Sequence, residues 1–141
     1  MNSTPDAVTE LSEKEAWELL ATRPVGRLAT SVAQQPDIFP VNFVLDDDCI
    51  VFRTAQGSKL LELTINEHVA FEVDDWEVDQ GGWSVVCRGT AEVIEHRADL
   101  ERAESLDLRP WVQTIKTVFV RIRVEEIVGR KFRFGDLEDN D

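Results

Sequence analysis

The sequence has little of what conventional enzyme active sites are built from. It contains no tyrosine, and its two histidines, His68 and His96, have no partner at the spacing of a metal site or a catalytic triad. It also lacks the glycine patterns of a P-loop and of a dinucleotide-binding helix. We therefore assign no catalytic residue and no metal ligand. If the protein is an enzyme, we expect a bound cofactor to supply the reactive group.

Positive charge and long apolar runs are also scarce. The chain has 15 Lys and Arg residues against 28 Asp and Glu residues, so its net charge is −13 and binding to nucleic acid or an anionic membrane is disfavoured. No apolar run can span a bilayer, and the N-terminus lacks the apolar core of a signal peptide. Cys49 and Cys87 are isolated within apolar runs, which is typical of reduced thiols. These features predict a cytoplasmic protein.

What the sequence does contain is a series of short strand patterns. They predict strands at 26–32, 38–45, 49–54, 69–73, 83–94 and 118–128. The turns predicted at 34–36 and 46–48 are too short for parallel crossovers, so the first three strands should pair antiparallel. Helices are predicted over 12–22, 58–65 and 98–108, and Ser12 with Glu15 forms a capping box for the first.

This order of elements predicts a mainly β, α+β fold built as a small, partly closed barrel. The length of 141 residues fits one domain. We expect a flexible N-terminal segment at 1–10, the barrel domain at 11–134 and an acidic C-terminal tail at 135–141. The acidic run at 46–48 is predicted to be a solvated turn.

The most informative segment joins the third strand to the second helix. Arg53 lies near the end of the strand, and Ser58 and Lys59 open the helix. A helix start offers free backbone N–H groups and a partial positive charge, which favour an anion. Three residues after Ser58 stands Leu61, so no capping box occupies this helix start. The segment predicts a phosphate site; the alternative is a strand–loop–helix junction with a Ser cap and two solvated cations.

Pro40 lies inside the second predicted strand, where proline is confined to an edge, a strand start or a bulge. At such a place the backbone groups of Val41 and Asn42 can face a ligand. The alternative is an edge strand that is protected against aggregation. Arg27 can reach the same anion, although pairing with a surface carboxylate is the preferred interpretation.

Three tryptophans, Trp76, Trp83 and Trp111, lie in or beside predicted loops. Their positions indicate an interface or a surface on which a ligand stacks, and the alternative is that they cover the core.

Several motifs together resemble the pyridoxamine-phosphate-oxidase-like flavin-binding split barrels. They read GRLAT at 26–30, PVNF at 40–43, FRTA and GSKL at 52–60, VAFEVD at 69–74, GWSVVCRGTA at 82–91, RPW at 109–111 and FVRI at 119–122. The resemblance implies a six-stranded antiparallel Greek-key split barrel that forms a homodimer, with FMN in clefts at the subunit interface.

The resemblance also implies which residues hold the cofactor. The phosphate of FMN would be bound by Arg53, Thr54, Ser58 and Lys59, and the isoalloxazine ring would be bordered by Pro40, Val41, Asn42 and Phe43. Trp111 would approach the flavin from the partner subunit.

The implied activity is that of a flavin-dependent oxidoreductase, in which FMN takes hydride from a reduced nicotinamide or deazaflavin coenzyme and reduces a quinone-like or nitroaromatic acceptor. A variant of the family binds the deazaflavin coenzyme in place of FMN. The alternative function is a non-catalytic module that binds or senses flavin, deazaflavin or haem. The chain is shorter than true pyridoxamine-phosphate oxidases, which argues against vitamin B6 as its substrate.

Overall fold

The computed structural model describes residues 7–55, 57–106, 108 and 118–135, which form one curled antiparallel sheet with three helices among them. The strands are β1 (Val8–Glu10), β2 (Val25–Val32), β3 (Gln35–Asn42), β4 (Val44–Asp46), β5 (Cys49–Thr54), β6 (His68–Glu77), β7 (Gly81–Val93) and β8 (Val118–Arg133). The helices are α1 (Glu13–Leu20), α2 (Ser58–Ile65) and α3 (Arg97–Ser105).

The strand order explains why the sheet curls. It runs β3-β2-β6-β7-β8-β5-β4, with β1 added beside β8. β3 and β4 therefore lie at opposite ends of the sheet, although only Phe43 separates them in sequence. Because one residue cannot span an open sheet, the two ends must approach each other, which gives a partly closed barrel. The predicted mainly β split barrel is confirmed.

The sheet has eight strands, two more than predicted, because one predicted strand is divided and because the N-terminal segment adds another. The segment predicted as one strand at 38–45 is divided by Phe43, whose N–H donates to the carbonyl oxygen of Pro24 at 3.1 Å. The ring of Phe43 is buried and packs edge-on against Phe71, with 4.9 Å between the ring centroids. In addition, β1 pairs with β8, so residues 8–10 of the segment predicted to be flexible belong to the sheet.

The main core fills the barrel, and a second one lies outside it. Fully buried side chains from five strands meet inside, namely Leu28, Phe52, Phe71, Val85 and Ile122. On the other face of β5, Val51 and Phe119 pack with Ile94 and with Ala103 of α3. β5 is therefore covered on both faces, which explains why its sequence is an almost continuous apolar run.

Helix α1 begins as the sequence predicts. The Ser12 hydroxyl accepts a hydrogen bond from the Glu15 N–H at 3.1 Å, and the Glu15 carboxylate accepts one from the Ser12 N–H at 3.0 Å. These hydrogen bonds lower the pKa of Glu15. The helix ends at Leu20, slightly before the predicted boundary, and packs Ala16 and Leu20 into the barrel core.

Both predicted turns differ from expectation in detail. The β2–β3 turn is formed by Ala33 and Gln34, which have φ values of 51° and 65°, and position 36 already lies in β3. In the acidic run, Asp46 is not solvated as predicted. Its carboxylate accepts a hydrogen bond from Arg102 Nε at 2.8 Å, which ties β4 to α3 and lowers the pKa of Asp46. None of the helices among the described residues is long and apolar enough to cross a bilayer.

Candidate functional site

The predicted phosphate site lies at the junction between β5 and α2. Thr54 is the last residue of β5, Gly57 is the N-cap residue of α2, and Ser58 and Lys59 are its first two helical residues. The alternative in which Ser58 caps the helix is wrong, because Gly57 occupies the cap and brings no side chain. The backbones of Ser58 and Lys59 are placed, but their side chains lie outside the described part of the structure.

The start of α2 has the properties that an anion requires. A Cβ atom added at Gly57 would meet no atom within 4 Å, so a ligand can approach the helix start. The first turn contains no acidic residue. Its backbone N–H groups, together with the positive end of the helix dipole, can therefore hold a phosphate without competition from a side-chain carboxylate of that turn.

Arg53 and Thr54 lie beside this helix start on opposite faces of β5, because successive residues of a strand alternate. Arg53 is half-buried, and its Cζ atom lies 5.1 Å from the centroid of the Phe119 ring. Thr54 is buried, and its hydroxyl donates to the carbonyl oxygen of Ala55 at 3.2 Å. Arg53 is thus held against the protein rather than extended into solvent.

Two hydrogen bonds that the sequence did not reveal hold α2 on the barrel. The Thr30 hydroxyl donates to Glu62 Oε1 at 2.6 Å, and Asn66 Nδ2 donates to the carbonyl oxygen of Ser31 at 2.7 Å. Between these two points Leu63 is buried in the core. No local pattern could have identified Thr30 as the partner of Glu62, because 32 residues separate them.

The segment predicted to border the flavin ring, residues 40–43, has two kinds of side chain. The side chains of Val41 and Phe43 are buried in the barrel core, so these two residues can border a ligand only through their backbone groups. Pro40 is exposed on the edge strand β3, and Asn42 is half-buried and donates from Nδ2 to the carbonyl oxygen of Pro24 at 3.2 Å. Pro40 therefore lies on an edge strand, which is one of the three places that proline can occupy in a sheet.

The fold nevertheless brings segment 40–43 close to the start of α2. The chain continues from this segment directly into β4, where Val44 pairs with Val51 of β5. Strand β3 itself also contacts β5. Residues 40–43 and the residues around the start of α2 lie far apart in the strand order. These two predicted groups of site residues therefore come together where the barrel closes. Trp111, the predicted contribution of a partner subunit, lies outside the described residues.

Arg27 does not belong to this site, and the preferred interpretation of it is confirmed. Its Nη1 atom donates to Glu72 Oε1 at 2.9 Å and to Asp74 Oδ2 at 3.1 Å. Burial and a hydrogen bond with Asp74 raise the pKa of Glu72 to about 7, although Arg27 opposes this shift.

Two cavities lie away from the start of α2. One has a volume of about 580 Å³ and lies at the other end of α2, where Glu67, Glu92 and Glu95 are among its lining residues. The other has a volume of about 560 Å³ and is lined by Trp76 and Trp83. Trp83 also packs against the core, whereas Trp76 is 57% exposed. Within the described ranges, no three His, Cys, Asp or Glu side chains are grouped as a metal ion requires.

Comparison with known proteins gives one family. Residues 12–131 match the family described as pyridoxamine 5'-phosphate oxidase. Three solved structures share the fold over most of their length. A Corynebacterium glutamicum protein named for the same oxidase is 37% identical, with a TM-score of 0.82 over 95% of this chain and 100% of that one.

The other two structures are of proteins named for a ligand. The FAD binding protein from Mycobacterium smegmatis is 44% identical, with a TM-score of 0.78 over 89% of this chain and 99% of that one. An FAD-binding protein from Mesorhizobium loti is 27% identical, with a TM-score of 0.74 over 88% of this chain and 97% of that one.

Proposed function

The chain belongs to the pyridoxamine 5'-phosphate oxidase family, and from this premise we propose that it binds a flavin nucleotide with a phosphate at the start of α2. The observation that carries the proposal is the open, acid-free first turn of α2 beside the half-buried Arg53. The phosphate of FMN bears about two negative charges, and the pyrophosphate of FAD bears the same total. In a chain with a net charge of −13, holding either group requires local donors and cations.

In this proposal the residues of the site have separate roles. The N–H groups of α2 and the cations of Arg53 and Lys59 hold the phosphate, and Thr54 and Ser58 add hydroxyl groups. Each hydrogen bond to a charged group contributes about 1.5–3 kcal/mol. The exposed Pro40 and the amide of Asn42 border the ring, while Val41 and Phe43 hold that strand in place from the core.

The activity that we propose is that of an oxidoreductase. The bound flavin would supply hydride and electron transfer between a reduced nicotinamide or deazaflavin coenzyme and a small acceptor such as a quinone or a nitroaromatic compound. The protein would bind and orient the reactants and exclude water, and no side chain is assigned as a proton donor.

Three coenzymes are candidates, namely FMN, FAD and the deazaflavin coenzyme. The names of the M. smegmatis and M. loti relatives favour FAD. The deazaflavin coenzyme has a longer acidic tail, which the strongly acidic chain disfavours. The absorption spectrum and the mass of the molecule released from the purified protein distinguish the three. A colourless protein that takes up none of them would refute the proposal.

Substitution tests the position of the site. Loss of one charge-assisted contact of about 1.5–3 kcal/mol corresponds to a tenfold or greater rise in Kd, so Arg53→Ala should weaken flavin binding by at least that factor. The matched control is Arg97→Ala, which removes the same charge from a side chain that is 93% exposed. Equal flavin content of the two variants after gel filtration would show that Arg53 does not hold the phosphate.

A binding module without turnover is the second candidate, and the names of the two FAD-binding relatives favour it, since both refer to a ligand and not to a reaction. Steady-state oxidation of NADPH or of the reduced deazaflavin coenzyme by the flavin-loaded protein separates the two candidates. Turnover supports the oxidoreductase, whereas a flavin-loaded protein that oxidises neither donor supports the module.

We also propose that the protein is a homodimer. Ile38 is 64% exposed on the edge strand β3, and strand alternation places it on the same face as Pro36 and Pro40. An exposed apolar edge of this kind calls for cover by another chain. Light scattering at micromolar concentration should give the mass of a dimer, and Ile38→Lys should shift it toward the monomer. A monomeric parent protein would contradict the proposal.

A further inference from the structure

Phe119 of β8 is the aromatic residue against which Arg53 lies. The two residues are directly opposite each other in the register of β5 and β8, so their side chains project from the same face of the sheet. The Arg53 Cζ atom lies 5.1 Å from the centroid of the Phe119 ring, which is within the range of a cation–π contact. Because Phe119 is 8% exposed, its ring also shields the guanidinium from water on that side.

The ring of Phe119 is itself fixed by the second core, outside the barrel. It packs there with Val51 of β5, with Ile94 and with Ala103 of α3. The carbonyl oxygen of Phe119 accepts a hydrogen bond from the Ile94 N–H at 2.9 Å, which fixes the backbone as well. The second core therefore supports the surface on which the Arg53 side chain rests.

This contact suits an arginine that has to bind a phosphate. A guanidinium is planar, and its N–H groups point outward at the edge of that plane. An aromatic ring that contacts the face of the plane leaves these edge groups able to donate to an anion, and unlike a carboxylate it does not cancel the positive charge. It also restricts a long side chain before the ligand arrives, so less conformational entropy is lost on binding.

We propose that Phe119 is a positioning residue for the flavin phosphate. Its ring holds the Arg53 guanidinium ready for the anion and thereby increases the preference of the site for phosphorylated flavins. This inference rests on the proposed function, because it requires that Arg53 binds the phosphate. Phe119 acts through Arg53 and is assigned no contact with the flavin.

The test compares FMN with riboflavin, which differs from it only in lacking the phosphate. Both are titrated into the flavin-free full chain, and the quenching of flavin fluorescence gives each Kd. The parent protein should bind FMN more tightly than riboflavin. Phe119→Leu should raise the Kd for FMN by about threefold or more and leave the Kd for riboflavin unchanged. A merely structural role of Phe119 would weaken both ligands alike.

Two further variants separate the ring contact from packing. Pentafluorophenylalanine at position 119 keeps the shape of the ring but removes the negative charge of its faces, so it should weaken FMN about as much as Phe119→Leu does. Phe119→Tyr keeps that charge and should retain most of the affinity for FMN. The matched control is Ile94→Val, which loosens the same core without removing a ring, and it should change neither Kd. Thermal unfolding checks that each variant is folded.

A double variant tests whether Phe119 acts through Arg53. Arg53→Ala/Phe119→Leu should bind FMN no more weakly than Arg53→Ala alone. Additive losses, or parent-like FMN binding by the pentafluorophenylalanine protein, would overturn the inference. So would a parent protein that prefers FMN together with a Phe119→Leu variant that keeps this preference, and the proposed function would then still stand. Equal affinity of the parent protein for FMN and riboflavin would instead refute the proposed phosphate site, and the role of Phe119 with it.

Discussion

Replacing Thr30 by valine isolates the hydrogen bond that holds α2 on the barrel. Thr30 is 3% exposed and donates to Glu62 Oε1 at 2.6 Å. A hydrogen bond to a charged group contributes about 1.5–3 kcal/mol, and the methyl group that replaces the hydroxyl returns about 0.8 kcal/mol. We therefore expect Thr30→Val to lower the free energy of unfolding by about 1–2 kcal/mol. Urea denaturation of the flavin-free protein measures this value, with the m-value unchanged.

The chain offers a matched control for this substitution. Thr90 also donates to a carboxylate, Glu125 Oε2 at 2.7 Å, but this pair is exposed to solvent. Thr90→Val makes the same chemical change, and we expect it to alter the free energy of unfolding by no more than about 0.5 kcal/mol. Only Thr30→Val should also weaken flavin binding, because Glu62 lies one turn below the start of α2.

Two results would refute this reasoning. The first is an equal effect of Thr30→Val and Thr90→Val on the free energy of unfolding. The second comes from a double-mutant cycle that combines Thr30→Val with Glu62→Ala. If the hydrogen bond stabilises the packing of α2, the coupling energy should be about 1–2 kcal/mol. A coupling energy near zero would show that the contact contributes nothing.

Three other predictions concern stability. Gly26→Ala should lower the free energy of unfolding by about 1–3 kcal/mol, because the added Cβ would lie 2.6 Å from Cε2 of the buried Phe71 ring; unchanged urea denaturation would contradict this. Ser12→Ala should cost about 1 kcal/mol through loss of the capping box, and a change below experimental error would show that the cap is not needed. Burial raises the pKa of Glu72 from its ordinary 4.5 to about 7, so between these pH values the folded state binds more protons than the unfolded state. The free energy of unfolding therefore falls as the pH rises from about 4.5 to about 7. The free energy of unfolding of the parent protein, relative to that of Glu72→Gln, should therefore fall from about pH 4.5 to about pH 7. A difference between the two proteins that does not depend on pH would contradict the raised pKa of Glu72.

Local signals in the sequence were sufficient for most elements. The capping box of Ser12 and Glu15 predicted where α1 begins, and the predicted bounds of the second helix agree with Ser58–Ile65. Alternation and turn residues likewise predicted the strands. These signals are reliable because a helix cap or a strand period depends on residues only a few positions apart.

Site residues were harder to predict where the two faces of a strand have different surroundings. Residues 40–43 are predicted as one group that borders the ring, and the sequence does not show that the side chains of Val41 and Phe43 lie in the core. Which face of β3 is buried depends on the closure of the barrel, and no pattern within the segment carries that information. For the same reason the acidic run gave no sign that Asp46 pairs with Arg102, which lies 56 residues later.

From the sequence alone, the identity and order of most strands and helices, the acidic character of the chain and the helix start suited to an anion could be established, because each depends on composition or on neighbours in sequence. Folding determines the rest. It pairs Arg27 with Glu72, brings Thr30 to Glu62, and ties Asp46 to Arg102. Contacts between residues tens of positions apart follow from strand pairing and from the closure of the sheet, and these are properties of the whole chain.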